Sequence, residues 1–224
     1  MNGRYYPLIS SLFVTTLIVS NIVAVKMVDL WGFYVPAAMV LFPLAYIFGD
    51  ILTEVYGFSR ARQVIWLGFF CNLLAVVAIL LGGALPSAPF WPAEKQKAWE
   101  TILGFSPRLL GASFLAYLFG EFLNSFVLSK LKVRTNGRFL WLRTIGSTIV
   151  GGGVDSFVFI TVAFYGVLPV RGIEEAILSQ WFLKVAYEIA VTPLTYRVVR
   201  FLKNREGIDV FDVGTNFSPF SLRG

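Results

Sequence analysis

The chain has 224 residues, 57% of them hydrophobic and only 14% charged, with a net charge of +6, no histidine and one cysteine. A soluble domain of this size carries nearer a quarter charged residues. The absent histidine removes the Ser-His and Cys-His pairs and the His-containing zinc motifs, and lone Cys71 excludes an intramolecular disulfide. No catalytic group, metal or cofactor is expected.

The charge deficit is unevenly spread. Long charge-free runs alternate with short charged clusters, which is the membrane pattern. In chain order, Leu8–Val25 is 18 residues without charge. It is too long for a usual signal-peptide core and is followed by a poor cleavage site, so it reads as a first membrane helix. Asn21 and Lys26 close it: Asn21 as an interhelical hydrogen bond or a ligand contact, Lys26 as a ligand contact or a snorkelling cation. Trp31–Gly49 is 19 residues without charge and is expected to continue as helix to Tyr56. Val64–Leu85 follows with 22. Leu109–Leu128 contains only Glu121, and Thr144–Val170 only Asp155. Ala176–Val199 contains Lys184, Glu188 and Arg197. About 20 apolar residues span a bilayer, so the expected fold is all-α and integral to the membrane, with six transmembrane helices.

Lys and Arg set the orientation. With the N-terminus inside, thirteen of the nineteen lie at inner ends: Arg4, Arg60 and Arg62, five between Lys130 and Arg143, and five between Arg197 and Arg223. Lys26, Lys95, Lys97, Arg108 and Arg171 lie outside, and Lys184 is mid-span. Both termini are therefore expected in the cytoplasm, and the positive charge needs no nucleic-acid partner. Between helices 3 and 4, Ala93–Leu103 puts Trp99, Ile102 and Leu103 opposite Glu94, Lys95 and Lys97, as a short helix on the outer membrane surface would. Residues 1–203 form the membrane domain in this reading, and 204–224 a cytoplasmic tail.

Ala45–Leu52 and Ala116–Leu123 share five of eight residues and place an acid at the same point, Asp50 and Glu121. In this topology both helices run outside to inside, so a parallel repeat is geometrically allowed. Chance likeness between apolar helices is the competing explanation.

The ionisable residues inside the spans are Asp50, Glu54, Glu121, Asp155, Lys184 and Glu188. Each costs roughly 2.5–3.5 kcal/mol if it faces lipid, so they should share a polar interior. Asp50 and Glu54 are four apart and project about 40° apart on one helix. Lys184 and Glu188 have the same spacing and can pair. Glu54 can pair with Arg60 or Arg62 near the inner surface. Glu121 precedes Asn124 and Ser125 by one turn, and Asp155 follows three glycines that allow close approach. An interior of carboxylates and aromatic rings such as Tyr46, Tyr117, Tyr187 and Trp66 suits a planar ligand rich in donors, because a carboxylate accepts two parallel N–H bonds.

The ordered set of Ser20-Asn21-Ile22 with Lys26, Phe42-Pro43 with Asp50 and Thr53-Glu54-Val55-Tyr56-Gly57, Gly120-Glu121 with Asn124-Ser125, Trp141-Leu142-Arg143 with Asp155, and Lys184 with Tyr187-Glu188 resembles the bacterial queuosine precursor transporter family, also called the vitamin uptake transporter family. The tail from Phe211-Asp212 to Phe220 resembles its C-terminal signature. The resemblance implies a multi-pass protein of the bacterial inner membrane that imports 7-deazaguanines such as preQ0, preQ1 or queuine. Against such a base, position and charge favour Glu121 or Asp50 as reader of the donors, with Asn124, Asn21 or Lys184 taking the carbonyl. The resemblance also implies kinship to the substrate-binding components of energy-coupling-factor transporters, which dock on an ATPase partner through small residues of the first helix. Here that helix offers Ala24 but no repeated small-residue stripe, which favours a stand-alone carrier over an ATPase-driven subunit. A homodimer is compatible with the sequence.

Overall fold

The computed structural model describes residues 3–30, 33–104 and 106–221. Helix α1, Tyr6–Val23, begins with Pro7 in its first turn and buries Ile9, Phe13, Leu17 and Ser20 along one seam. Leu8, Leu12 and Val19 face outward. A helix apolar all round suits a membrane rather than a soluble core.

The second expected span is corrected. Met27–Leu30 (β1) and Phe33–Pro36 (β2) form an antiparallel hairpin with Val28 opposite Val35, and Ala37–Val40 is a 3-10 turn. Trp31 and Gly32 lie outside the described residues. Helix α2 starts only at Phe42 and runs to Tyr56, 15 residues. The cause is local. Phe33-Tyr34-Val35 is a β-prone run, Pro36 pushes Val35 to extended backbone, and proline offers no N–H to a helix.

Helix α3, Phe58–Ala84, follows α2 after the single residue Gly57, whose φ of 85° lies where a side chain is strained. A Cβ there would also lie 2.6 Å from Val210 of the tail. A helix is found over the residues expected for an outer-surface one, α4, Ala93–Leu103, and lies wholly outside the core. A side chain at Gly83 of α3 would meet its Trp99 indole at 3.2 Å. Helices α5, Pro107–Arg134, and α6, Leu140–Phe164, form the central hairpin. A Cβ on Gly151 would sit 2.8 Å from the Gly120 carbonyl and 2.7 Å from Asn124 Cβ, so the two backbones touch. Helix α7, Val170–Glu206, is 37 residues long and stops at Gly207, whose left-handed φ of 64° closes it. Helix α7 thus extends past residue 203.

Among the described residues, four segments are long and apolar enough to cross a membrane: Tyr6–Val23, Phe58–Ala84, a stretch within Ala93–Arg134, and Leu140–Phe164. Helix α2 is short, and α7 is diluted by Lys184 and Glu188. The protein is thus an all-α, multi-pass membrane protein. The start of α1 meets the end of α7, where the Tyr5 amide donates to Glu206. The end of α5 and the start of α6 meet the end of α2, where Lys132 and Arg143 bond Glu54. The helices therefore alternate in direction and share one basic end.

The residues after α7 are strapped across that end. The Val210 amide donates to the Val55 carbonyl. Arg62 donates to the carbonyls of Asn216 and Ser218, both at 2.9 Å, and the Trp66 indole to Pro219 at 2.8 Å. Phe217 lies between Phe58 and Phe126. Asp212 accepts the Phe58 amide at 2.9 Å and so caps α3, whose own N-cap, Gly57, has no side chain.

Candidate functional site

Helices α2, α5, α6 and α7 bring most of the intramembrane charges into one cluster. Asp50 and Asn124 are fully buried, Glu188 is 2% exposed and Glu121 5%. Asn124 Nδ2 donates to Asp50 Oδ1 at 2.7 Å, joining α2 to α5. Lys184 on α7 forms a short ion pair with Asp155 on α6. Tyr46, also buried, lies within electrostatic reach of Asp50, Glu121, Asp155 and Glu188 together.

Glycines bring these groups this close. A Cβ on Gly49 would lie 3.1 Å from Glu121 Oε2. One on Gly120 would lie 2.6 Å from Asp155 Cβ, and one on Gly152 3.7 Å from the Lys184 stem. Each helix thus offers a glycine to the ionisable residue of the next: α2 to Glu121, α5 to Asp155, α6 to Lys184. In the two echoed segments the glycine before the acid plays the same part, so the echo has one structural consequence in both places.

Hydrogen bonding in the cluster is incomplete. Among the described residues, Asp50 Oδ2, Glu121 Oε2, Asn124 Oδ1 and Glu188 Oε1 are buried and have no partner, as are the hydroxyls of Thr148 and Ser156. A buried polar group without a partner costs about 1–3 kcal/mol, so such a concentration in one place is a mark of function rather than packing. Four of these atoms are acceptors and the nearest cation, Lys184, is already engaged. The arrangement offers several acceptors to N–H donors.

Glu54 stands apart from this cluster. It is fully buried one turn beyond Asp50, and its carboxylate takes Arg143 through both oxygens, at 2.8 and 3.1 Å, and Lys203 at 2.7 Å. Lys132 is 3.7 Å away and bridges to Asp209. The expected pairing with Arg60 or Arg62 is replaced by this network, because α5, α6 and α7 end around Glu54 while Arg62 turns to the tail. The expected Lys184–Glu188 pair is likewise replaced. Lys184 turns to Asp155 across the α6–α7 contact, which leaves Glu188 facing Asp50. Asn21 donates to Asn72 of α3 at 3.0 Å, an interhelical bond outside the acidic cluster. Lys26 is exposed in the turn before the hairpin, and Tyr187 is half-buried with its hydroxyl unbonded among the described residues.

Residue-by-residue reading missed Thr148 and Ser156 as site atoms. Their signal was present: positions 148, 152 and 156 stand on one face of α6 at helical spacing, beside Asp155. It also left Lys132 and Arg143 among inner-loop charges, whereas both are only 1% exposed. Nothing short of the fold places Glu54 beside them.

A multi-pass helical bundle with an occluded, acceptor-rich polar interior defines a membrane transport protein. Residues 36–198 match the family model described as "Putative vitamin uptake transporter". The chain is 33% identical over 188 residues to the "Probable queuosine precursor transporter" of Bacillus subtilis (strain 168), covering 84% of this chain and 81% of that one. It is 25% identical over 193 residues to the "Queuosine precursor transporter" of Escherichia coli (strain K12), covering 84% and 78%. A match to the "Probable queuosine precursor transporter" of Haemophilus influenzae is 26% identical over 129 residues, covering 55% and 49%. No solved structure gives a significant match. The chain belongs to the vitamin uptake transporter family, a family of transporters and not of enzymes.

Proposed function

We propose that the protein imports queuosine precursors, 7-deazaguanines of the preQ0, preQ1 and queuine type, across the bacterial inner membrane. In this reading six helices span the bilayer, α1, α2, α3, α5, α6 and α7, with both termini and the basic end in the cytoplasm. The observation that carries it is the group of four buried acceptor oxygens without partners on Asp50, Glu121, Asn124 and Glu188. A deazaguanine edge presents N1–H and an exocyclic amine side by side, the pair of donors a carboxylate accepts in parallel. Glu121 or Asp50 reads that edge. Asn124 Nδ2 gives one of its two N–H groups to Asp50 and Lys184 one of its three to Asp155, so either has a donor left for the carbonyl oxygen. Tyr46 offers a ring to stack on the base. Glu54, Asn21, Lys26 and Tyr187 stand outside this core and serve packing, the ends of the path, or both.

The site works by exchange. Donors that leave water must find acceptors of equal quality, and a donor-poor analogue would leave the carboxylates unsatisfied, which is the strongest form of discrimination a polar site has. Bulky Leu8, Leu12 and Val19 on the outer face of α1 support a carrier that works without an ATPase docked there.

The test is uptake of labelled precursor into proteoliposomes, with and without a pH gradient, by the unaltered protein and by Glu121→Gln and Asp50→Asn. Loss of uptake in either variant at normal folded yield is expected. Undiminished uptake in both would remove the proposal. Uptake only in the presence of an added ATPase and ATP would favour the subunit reading.

A further inference from the structure

The inner end of α7 carries a feature that the transport site does not use. Tyr196, Arg197, Arg200, Phe201 and Asn204 line a cavity of about 320 Å³ on the outside of the bundle. Its aromatic walls are fixed from behind. The Tyr196 hydroxyl accepts the Trp141 amide at 3.1 Å, and Phe201 packs on Tyr5 of the chain start with ring centres 5.7 Å apart. Arg197 and Arg200 are exposed, three residues apart and so on one helix face. Neither has a carboxylate within 4.0 Å among the described residues, while Lys132, Arg143 and Lys203 of the same end are all paired. Arg205 lies over the Phe201 ring, 5.7 Å from its centre, and adds positive charge beside the cavity.

Above the cavity, toward the bilayer centre, α7 exposes Leu194, Ile189 and Phe182, at 49, 54 and 72%. Ile189 and Phe182 are seven apart and stand on the face of the two arginines, whereas Leu194 lies about 140° round the helix from Ile189. A pair of uncompensated guanidiniums at the membrane boundary, over aromatic walls and below an apolar track, matches one ligand in charge and shape. The guanidinium fork takes phosphate oxygens two at a time, and the track takes an acyl chain.

We propose that this cavity binds the phosphate of an anionic phospholipid of the cytoplasmic leaflet through Arg197 and Arg200, with its acyl chain along Ile189 and Phe182. The site fastens the long last helix to the inner leaflet while the interior rearranges around solute.

The test uses the full chain in nanodiscs of phosphatidylcholine with and without phosphatidylglycerol, read by native mass spectrometry for retained lipid and by thermal melting. Phosphatidylglycerol should be retained by the unaltered protein and should raise its melting temperature. Arg197→Gln with Arg200→Gln should weaken retention on the order of 30-fold, at about 1 kcal/mol per arginine near a charged surface. Arg134→Gln with Arg138→Gln removes the same charge from exposed positions on the same end and should leave retention unchanged. Equal falls in both double variants, or no fall in the first, would overturn the proposal. Protection by inorganic phosphate in pure phosphatidylcholine, as strong as that by phosphatidylglycerol, would show a free-phosphate site and overturn the lipid assignment. Should the first double variant not fold, the two single variants are read the same way.

Discussion

Asp50 and Glu54 sit one turn apart on α2, both fully buried, and differ in what meets them. Glu54 uses both oxygens on Arg143, adds Lys203 and lies near Lys132. Asp50 uses one oxygen on the neutral amide of Asn124 and leaves the other unbonded. The contrast extends to their surroundings. Toward the basic end Asp212 takes the Phe58 amide, Ser129 and Thr215, and Asp209 takes Lys132 and Lys203, while Glu206 keeps one buried oxygen without a partner among the described residues. Toward the middle, Glu121 and Glu188 each keep an unpartnered oxygen. The same residue type locks the bundle in one place and keeps acceptor capacity in the other.

The largest effect that would break this contrast is on stability at Glu54. Glu54→Gln leaves Arg143 buried without its counter-charge and should cost about 3–5 kcal/mol, seen as a collapse of folded yield and melting temperature. A variant that melts like the parent would show that the basic end is not the structural lock.

Glu121→Gln and Asp50→Asn should do the reverse. Their burial is already uncompensated, so melting should stay level or rise, while precursor affinity should fall 10- to 100-fold, the worth of one or two charge-assisted bonds at about 1.5–3 kcal/mol each, partly offset by the amide that replaces them. Equal loss of stability at both ends of α2 would erase the distinction between lock and site.

A smaller change tests the tail. Asp212→Ala removes the borrowed cap of α3 and the Ser129 bond, and should cost about 1–2 kcal/mol, read by melting, with bound solute still protecting the protein. The smallest effect is a pH dependence. Part-burial works to raise Asp209, but the bonds from Lys132 and Lys203 outweigh it and hold the carboxyl below its usual range. A lowered folded value contributes stability above the unfolded value of about 4 and loses it as pH falls through the folded one. Melting should therefore be indifferent to this group from pH 7 to about 5. A loss of no more than about 1 kcal/mol, absent in Asp209→Asn, should appear only below about pH 4.

Much of the architecture was legible from charge-free runs, because a bilayer imposes length and apolarity on each crossing without regard to neighbours. The outer helix over Ala93–Leu103 followed from its own amphipathic spacing. The second span was misjudged because hydropathy cannot separate an apolar helix from an apolar hairpin, and the information lay in Pro36 and the β-prone residues before it. In the site, the gathering of Asp50, Glu121, Asp155 and Glu188 followed from the cost of facing lipid. Their partners did not, since i, i+4 spacing offers Lys184 a mate on its own helix and says nothing of Asp155 across the α6–α7 contact.

By itself the sequence determined that this is a helical membrane protein, which end is basic, and which acids must hide from lipid, for those are properties of single segments against a uniform solvent. Only the tertiary structure decided which of those acids are neutralised and which are left with acceptor capacity. That depends on which helix ends converge on Glu54 and which glycines let Glu121, Asp155 and Lys184 close in, and both are set by contacts between residues far apart in the chain.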